Sequence, residues 1–366
     1  MNIQPNDAAA SSGPPLRILH IIFAFVIGGA ETMLVDIVNR QVAQGHDVGL
    51  LIVNNLVDPA LLSTVDRRVR VALWHRKPGS FAPALALRLN IFVRRYGADV
   101  IHIHDMKLAG LIRGLDRKLV YTVHDLNLPQ RYLRPTIFQA AITEAVRDDV
   151  LRQAPKSNVE VVSNGIDISR IAMRQEGRLP SGEFRIVQSG RLLYSKKGQD
   201  ILIRALARLR NLMPGMRFTV DFLGDGPDRR ELAELAQSLG VASQVRFTGA
   251  LSRSKVYAAY AGYDMMVHPA RFEGFGLIVA EAMAAGLPVA VPDKGGPAEV
   301  VGNGRYGTLF ACDSHEACAE AIAAVASDYQ KALRRAEEAR RYALANYSLD
   351  AMVDKYIAIY RRLTTI

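Results

Sequence analysis

The sequence predicts an α/β protein built as two doubly wound parallel-sheet domains, and three observations predict it. Short runs rich in Val, Ile and Phe alternate with helical stretches, the order expected of parallel strands joined by crossover helices. The plan occurs twice, once on each side of a cluster of Gly177, Pro180, Ser181 and Gly182. At 366 residues the chain is long enough for two such domains, each with its own core.

In the first half, residues 17–27 (RILHIIFAFVI) read as a buried strand, and Gly28-Gly29-Ala30-Glu31 opens a helix to about residue 44. Strands are expected over 47–53 and 69–74, then a helix over 82–96. Strands follow over 100–104 (VIHIH), 119–124 (LVYTVH) and 159–162. In the second half, a strand over 184–189 precedes Gly190-Arg191 and a helix over 199–212. A strand over 217–223 runs into Gly224-Asp225-Gly226-Pro227. A helix at 228–239, strands at 244–248 and 265–268, a helix at 277–285 and a strand at 288–291 complete the second sheet. Residues 331–363 read as a helical tail. The expected divisions are a loose tail at 1–15, an N-terminal domain at 16–175 and a C-terminal domain at 176–345. A final helix at 346–366 is expected to return to the N-terminal domain.

Composition excludes several classes. Charged residues at 22% and hydrophobic residues at 49% are ordinary for a globular protein and unlike a disordered one. The longest apolar run, 18–27, is interrupted by His20 and is half the ~20 residues a membrane span needs. With Asp7 and no basic residue before Arg17, the start of the chain does not read as a secretory signal. Cys312 and Cys318 show no metal-type spacing and fit a reducing compartment. The net charge of +10 is uneven: residues 67–134 hold fourteen Lys or Arg against four Asp. Such a stretch attracts anionic lipid or phosphorylated substrates, or is a solvated face with no partner. No nucleic-acid motif accompanies it.

The glycine-rich and polar motifs follow strands, and ligands of open parallel sheets bind beyond the carboxyl ends of strands. The most informative segment is 268–288, HPARFEGFGLIVAEAMAAGLP. Glu273 falls on a loop, and Gly274, Phe275 and Gly276 let the backbone approach a ligand. Leu277 opens a helix, so the free N–H groups there form an anion site. Glu281, eight residues after Glu273, could hold vicinal hydroxyls; a helix cap plus a surface carboxylate is the plainer alternative. Arg191 and Lys197 follow a strand and suit phosphoryl oxygens. His102 and His104 alternate onto one strand face. With His124 they suggest a metal, although the strand-to-strand distances are open.

The segment EGFGLIVAEAMAAGLPV closely resembles the E-x7-E signature of the retaining glycosyltransferases of family four, the "glycosyl transferases group 1" proteins with the GT-B fold. GGAE at 28–31, TVHD at 122–125, VSNGID at 162–167 and SGRLLYSKKGQD at 189–200 resemble family segments in order and spacing. So do GDGP at 224–227, FTG at 247–249 and GGPAEVV at 295–301, and the resemblance spans roughly residues 17–310. It implies two Rossmann-like domains facing a cleft, an acceptor-side N-terminal domain and a donor-side C-terminal domain. It implies that Arg191 and Lys197 neutralise a diphosphate, Glu281 holds ribose and Glu273 holds the donor sugar. Backbone N–H groups of Phe275, Gly276 and Leu277 would meet sugar or phosphate. Gly28 and Gly29 would press on the diphosphate, and His124 would sit near the anomeric carbon.

The implied reaction is metal-independent retaining transfer of a hexose from a UDP- or GDP-sugar to a lipid-linked or polysaccharide acceptor in bacterial cell-surface glycan synthesis. No cofactor beyond the donor is expected. The implied place is the cytoplasm, peripheral to the membrane through the basic 67–134 stretch. An idle sugar-nucleotide-binding scaffold or an epimerase on the same fold are the alternatives. A dehydrogenase would need G-x-G-x-x-G after the first strand, where this chain has Gly28-Gly29-Ala30-Glu31.

Overall fold

A computed structural model describes residues 13–79, 82–174 and 179–365. Most of the expected N-terminal tail, and Gly177 of the expected boundary cluster, lie outside the described residues. The chain divides into two compact units. One comprises the residues up to Gly165 together with Leu349–Ile366; the other is Ile166–Ser348.

The first unit contains β1 (Arg17–Ile22), α1 (Gly29–Ala43), β2 (Asp47–Asn54), α2 (Pro59–Leu62), β3 (Arg70–Arg76), α3 (Ala82–Tyr96), β4 (Val100–Ile103), α4 (Met106–Leu111), β5 (Leu119–Val123), β6 (Phe138–Ala141), α5 (Glu144–Gln153) and β7 (Asn158–Val161). Its seven strands are parallel in the order β3-β2-β1-β4-β5-β6-β7. Chain order reverses at β1/β4, the switch point where such sheets open a crevice. The central strands are buried on both faces, so they read as continuous apolar runs.

The second unit contains β8 (Glu183–Ser189), α6 (Tyr194–Lys197), α7 (Gln199–Leu212), β9 (Arg217–Leu223), α8 (Arg229–Ser238), β10 (Val245–Phe247), α9 (Arg253–Ala259), β11 (Met265–Val267), α10 (Leu277–Ala284), β12 (Val289–Pro292), α11 (Gly296–Val300), β13 (Thr308–Phe310), α12 (His315–Ser327) and α13 (Tyr329–Asn346). Its six strands are parallel in the order β10-β9-β8-β11-β12-β13. The apolar faces of α7 and α12 pack with Phe184, Phe218 and Phe222 in one core. The expected architecture of two Rossmann-like parallel-sheet units is present.

Several details differ from the sequence expectation. The first strand ends at Ile22 rather than 27: Phe25 stays buried and donates its N–H to Leu56 O at 2.8 Å, while Val26 and Ile27 turn outward ahead of α1. Strands β6 and β13 were not expected, nor were the short helices α2, α4, α5, α9 and α11. Helix α12, capped by Ser314, was not expected either. The tail forms two helices broken near Tyr347, whose ring is buried edge-on against Phe275. The second of them, α14 (Leu349–Thr364), belongs to the first unit. There Tyr356 and Tyr360 cover the interior of the sheet, and Asp354 accepts from Gln44 at 2.7 Å.

Candidate functional site

In the second unit, several of the singled-out residues gather at the carboxyl ends of β8 and β11. Short α6 follows β8 and brings Lys197 down onto Glu273, in the loop between β11 and α10; the two side chains form an ion pair. Lys196, its neighbour, is exposed, and its carbonyl accepts from Arg271 N at 2.8 Å. Of the adjacent lysines, Lys197 is thus the one drawn inward. Gln188 Nε2 donates to Lys197 O at 2.9 Å and helps to fix the turn.

A third member was missed from sequence. His268 Nε2 lies 3.3 Å from Glu273 Oε2, and the imidazole is fully buried. Burial alone would raise the Glu273 carboxyl, but the hydrogen bond from His268 and the Lys197 ammonium outweigh it and hold it down to about 2. Burial lowers His268, with Glu273 working in the opposite direction. Glu273 is therefore an anchored carboxylate at neutral pH. The signal for His268 was its position five residues before Glu273 at the end of a strand.

The loop itself is braced by Arg271, also missed. Its guanidinium forks onto Asp200 with two bonds of 2.8 Å and reaches Asp313 at 2.7 Å. Gly198 makes the crossing possible. Its φ is +66°, and an added Cβ would lie 1.9 Å from the backbone oxygen of Pro269. Gly198→Ala is expected to destabilise the protein by at least about 2 kcal/mol, because both the left-handed backbone and the clash are unrelieved. Denaturant titration of the variant checks this. Gly296 likewise brings a second loop onto the Glu273 loop, since a Cβ there would meet Gly274 O at 2.3 Å.

Glu281 lies in the second turn of α10 and is buried. Tyr257 OH donates to Glu281 Oε1 at 3.1 Å and Tyr260 OH to Oε2 at 3.1 Å. Burial, then the carboxylate, raises both phenols, so they remain protonated donors. Two hydroxyls therefore orient the Glu281 carboxylate. Tyr257 lies in α9 and Tyr260 just past its end, far in sequence from Glu281, so the sequence could not connect them.

Gly276 caps α10 with φ +96°, and no side chain caps that end. Among the described residues, the N–H groups of Phe275, Gly276 and Leu277 donate to no backbone carbonyl. The Phe275 side chain, by contrast, is buried against Tyr347. Arg191 is exposed just beyond β8; no carboxylate lies within ion-pair distance of it among the described residues. Taken together, this unit offers free N–H groups and cations suited to phosphate, with two fixed carboxylates suited to hydroxyls.

In the first unit, Gly28 and Gly29 begin α1 beyond β1. Gly29 has nothing within 4 Å of an added Cβ, so packing within the unit does not explain a glycine there. His124 follows β5 and stacks on His104, with ring centroids 6.3 Å apart. Burial lowers it to about 4, so it is neutral at pH 7. Asp125 is exposed, and its Oδ1 accepts from Leu126 N at 2.9 Å.

His102 and His104 do share a face, with centroids 4.4 Å apart, and His20 on β1 joins them. Ring nitrogens of the three lie within 4.8 Å of one another, a spacing open to a metal. Their hydrogen bonds point instead to a neutral chain. His20 Nε2 bonds Gln41 Oε1 at 2.8 Å and His20 Nδ1 meets His104 Nε2 at 3.1 Å. His102 is held by Tyr360 OH at 2.6 Å and Thr122 Oγ1 at 2.7 Å. His104 Nδ1 is buried without a partner among the described residues. Among those residues no helix is long and apolar enough to cross a membrane.

Comparison with known proteins agrees with this architecture. Residues 169–342 match the family described as "Glycosyl transferases group 1", and residues 27–170 match "Glycosyltransferase Family 4". The chain is 30% identical over 303 residues to the D-inositol 3-phosphate glycosyltransferase of Mycobacterium avium, covering 72% of this chain and 69% of that one. It is 27% identical over 394 residues to the glycogen synthase of Mycobacterium tuberculosis, covering 94% of each. Among solved structures, Anabaena Alr3699/HepE in complex with UDP superposes with a TM-score of 0.78 at 24% identity, over 96% of this chain and 100% of that chain. The two sheets and these matches show that the chain belongs to the GT-B glycosyltransferases of the group 1, family four kind.

Proposed function

We propose that this glycosyltransferase is a retaining, metal-independent enzyme that moves a hexose from a UDP- or GDP-sugar to a lipid-linked or polysaccharide acceptor. The observation that carries this reading is the Lys197–Glu273–His268 cluster beside the uncapped start of α10. Lys197 and Arg191 neutralise the diphosphate, and the N–H groups of Phe275, Gly276 and Leu277 add donors. Glu273 binds sugar hydroxyls, and Glu281, oriented by Tyr257 and Tyr260, binds the ribose. Neutral His124 offers a hydrogen bond to a substrate hydroxyl.

Among the described residues, Asp125, the carboxylate next to His124, is exposed and accepts from Leu126 N, so it is not poised as a nucleophile. A front-face displacement suits this better than a double displacement. The sugar–oxygen bond breaks, and its electron pair goes to the leaving phosphate. The acceptor hydroxyl forms the new bond on the same face and passes its proton to that phosphate oxygen. Leaving-group stabilisation by Lys197 and Arg191 is then the main catalytic service. The basic 67–134 stretch supports work at an anionic membrane face, in the cytoplasm, within bacterial cell-surface glycan synthesis.

The test is to incubate the protein with UDP- and GDP-hexoses and read the anomeric proton of the transferred or released sugar by NMR. An α-linked donor is expected to give an α product; a β product would sink the retaining assignment. Glu281→Gln is expected to weaken nucleotide diphosphate binding tenfold or more in calorimetry, because a charge-assisted bond to ribose is lost. Equal affinity in both proteins would remove Glu281 from its role.

A further inference from the structure

The first unit holds a cavity of about 730 Å³. Phe23 follows β1, Asn54 closes β2, Arg76 closes β3 and Asp105 follows β4; all four line it. It thus lies at the carboxyl edge of the sheet beside the β1/β4 switch point, where this kind of sheet takes ligands. Five cations line the cavity against one carboxylate: Arg76, Lys107, Arg113, Arg131 and Arg134 against Asp105.

These cations are not equally available. Arg134 is forked onto Asp116, and Arg76 donates to Asn54 Oδ1 at 3.1 Å. Asp105 is occupied by Lys107 N at 2.8 Å. Lys107, Arg113 and Arg131 have no carboxylate within ion-pair distance among the described residues, and Arg131 instead lies over the Tyr132 ring, 4.8 Å from its centroid. Three cations without an ion-pair contact thus surround one sheet-edge cavity, with Asp116 close enough to Arg113 to feel its charge. Guanidinium forks match the geometry of phosphoryl oxygens.

We propose that this cavity binds a phosphate ester, so that the acceptor carries a phosphate group recognised by Lys107, Arg113 and Arg131. This names the acceptor class of the transfer reading and rests on that reading for the word acceptor; the phosphate site itself does not. The same phosphate could be carried by a soluble metabolite or by a lipid headgroup.

The probes are sn-glycerol 3-phosphate in calorimetry, and phosphatidylcholine vesicles with and without phosphatidylglycerol in co-sedimentation. UDP or GDP is present throughout to fill the site around Lys197. Lys107→Gln/Arg113→Gln, at two exposed positions, is expected to weaken binding at least tenfold, and Arg131→Gln serves as a second variant. Arg88→Gln/Arg95→Gln removes two charges from the same basic stretch outside the cavity and is expected to keep binding. Loss of glycerol 3-phosphate binding in the cavity variants supports a soluble ester. Loss of phosphatidylglycerol-dependent sedimentation in them alone supports a lipid headgroup. No binding of either probe to the wild type overturns the proposal, as does equal binding by cavity variants and wild type, or equal loss in the Arg88/Arg95 variant. Nucleotide binding is read separately: if it fails while the phosphate probe binds, the donor reading falls and the cavity proposal stands.

Discussion

Lys197→Met is expected to lower kcat by roughly 10²–10³, about 3–4 kcal/mol of barrier, while Lys196→Met changes it only a few-fold. The two side chains are adjacent in sequence and differ in surroundings. Lys197 is drawn onto Glu273 with His268 behind it, whereas Lys196 is exposed. In the proposed reaction the Lys197 ammonium would face the diphosphate as it gains charge in the transition state, so its loss would fall on turnover more than on ground-state binding. It also lowers the Glu273 carboxyl, together with the hydrogen bond from His268. Both partners are about a quarter exposed, which limits the stability cost to about 1 kcal/mol. Steady-state kinetics with the accepted donor measures the contrast. Equal losses in the two variants would show that position on Glu273 does not matter.

Acid is expected to destabilise the first unit well above the carboxylate range. Burial lowers His20 to about 4, with Gln41 opposing only in part, against an unfolded value of ~6.5. Well above pH 6.5 neither state binds the proton, so His20 contributes nothing. As pH falls from 6.5 toward 4, the unfolded chain takes up a proton that the folded chain refuses, and stability is lost. His20 alone removes on the order of 2 kcal/mol by pH 5. His102, His104 and His124 act in the same direction. Trp74, the single tryptophan, lies in this unit, so its fluorescence reports the unfolding. Urea titrations at pH 7.5 and 5.0 are expected to show the loss in wild type and about 2 kcal/mol less of it in His20→Gln. Identical pH dependence in the two proteins would mean that His20 titrates normally.

What the sequence made legible follows from where the information is stored. The parallel strands appear as apolar runs because both sheet faces are covered, and the loops after them carry Gly and charge in contiguous segments. Glu273, Gly276 and Glu281 could therefore be singled out together. Residues supplied from elsewhere could not. Tyr257 and Tyr260 reach Glu281 from another helix, and Asp200 reaches Arg271 across 71 positions. His20 looked like an interruption of an apolar strand, and only the order β1-β4-β5 brings it beside His102 and His104. Its neighbour His102 is covered by the helical tail, which folds back over β4 and β5 through Tyr360 and Tyr356. The cavity was invisible for the same reason: its cations are scattered from Arg76 to Arg134 and meet only at the sheet edge.

The most direct test of the donor site is thermal stabilisation of the intact protein by UDP, GDP, ADP and their hexose conjugates, with EDTA present. A ligand at 100 times its Kd adds ~2.7 kcal/mol. A clear upward shift is expected with UDP or GDP and with the matching sugar conjugate, unaffected by EDTA and much reduced in Glu281→Gln. Folded protein that shows no shift with any nucleotide, or a shift that EDTA abolishes, would contradict a metal-independent nucleotide-sugar site around Lys197 and Glu281.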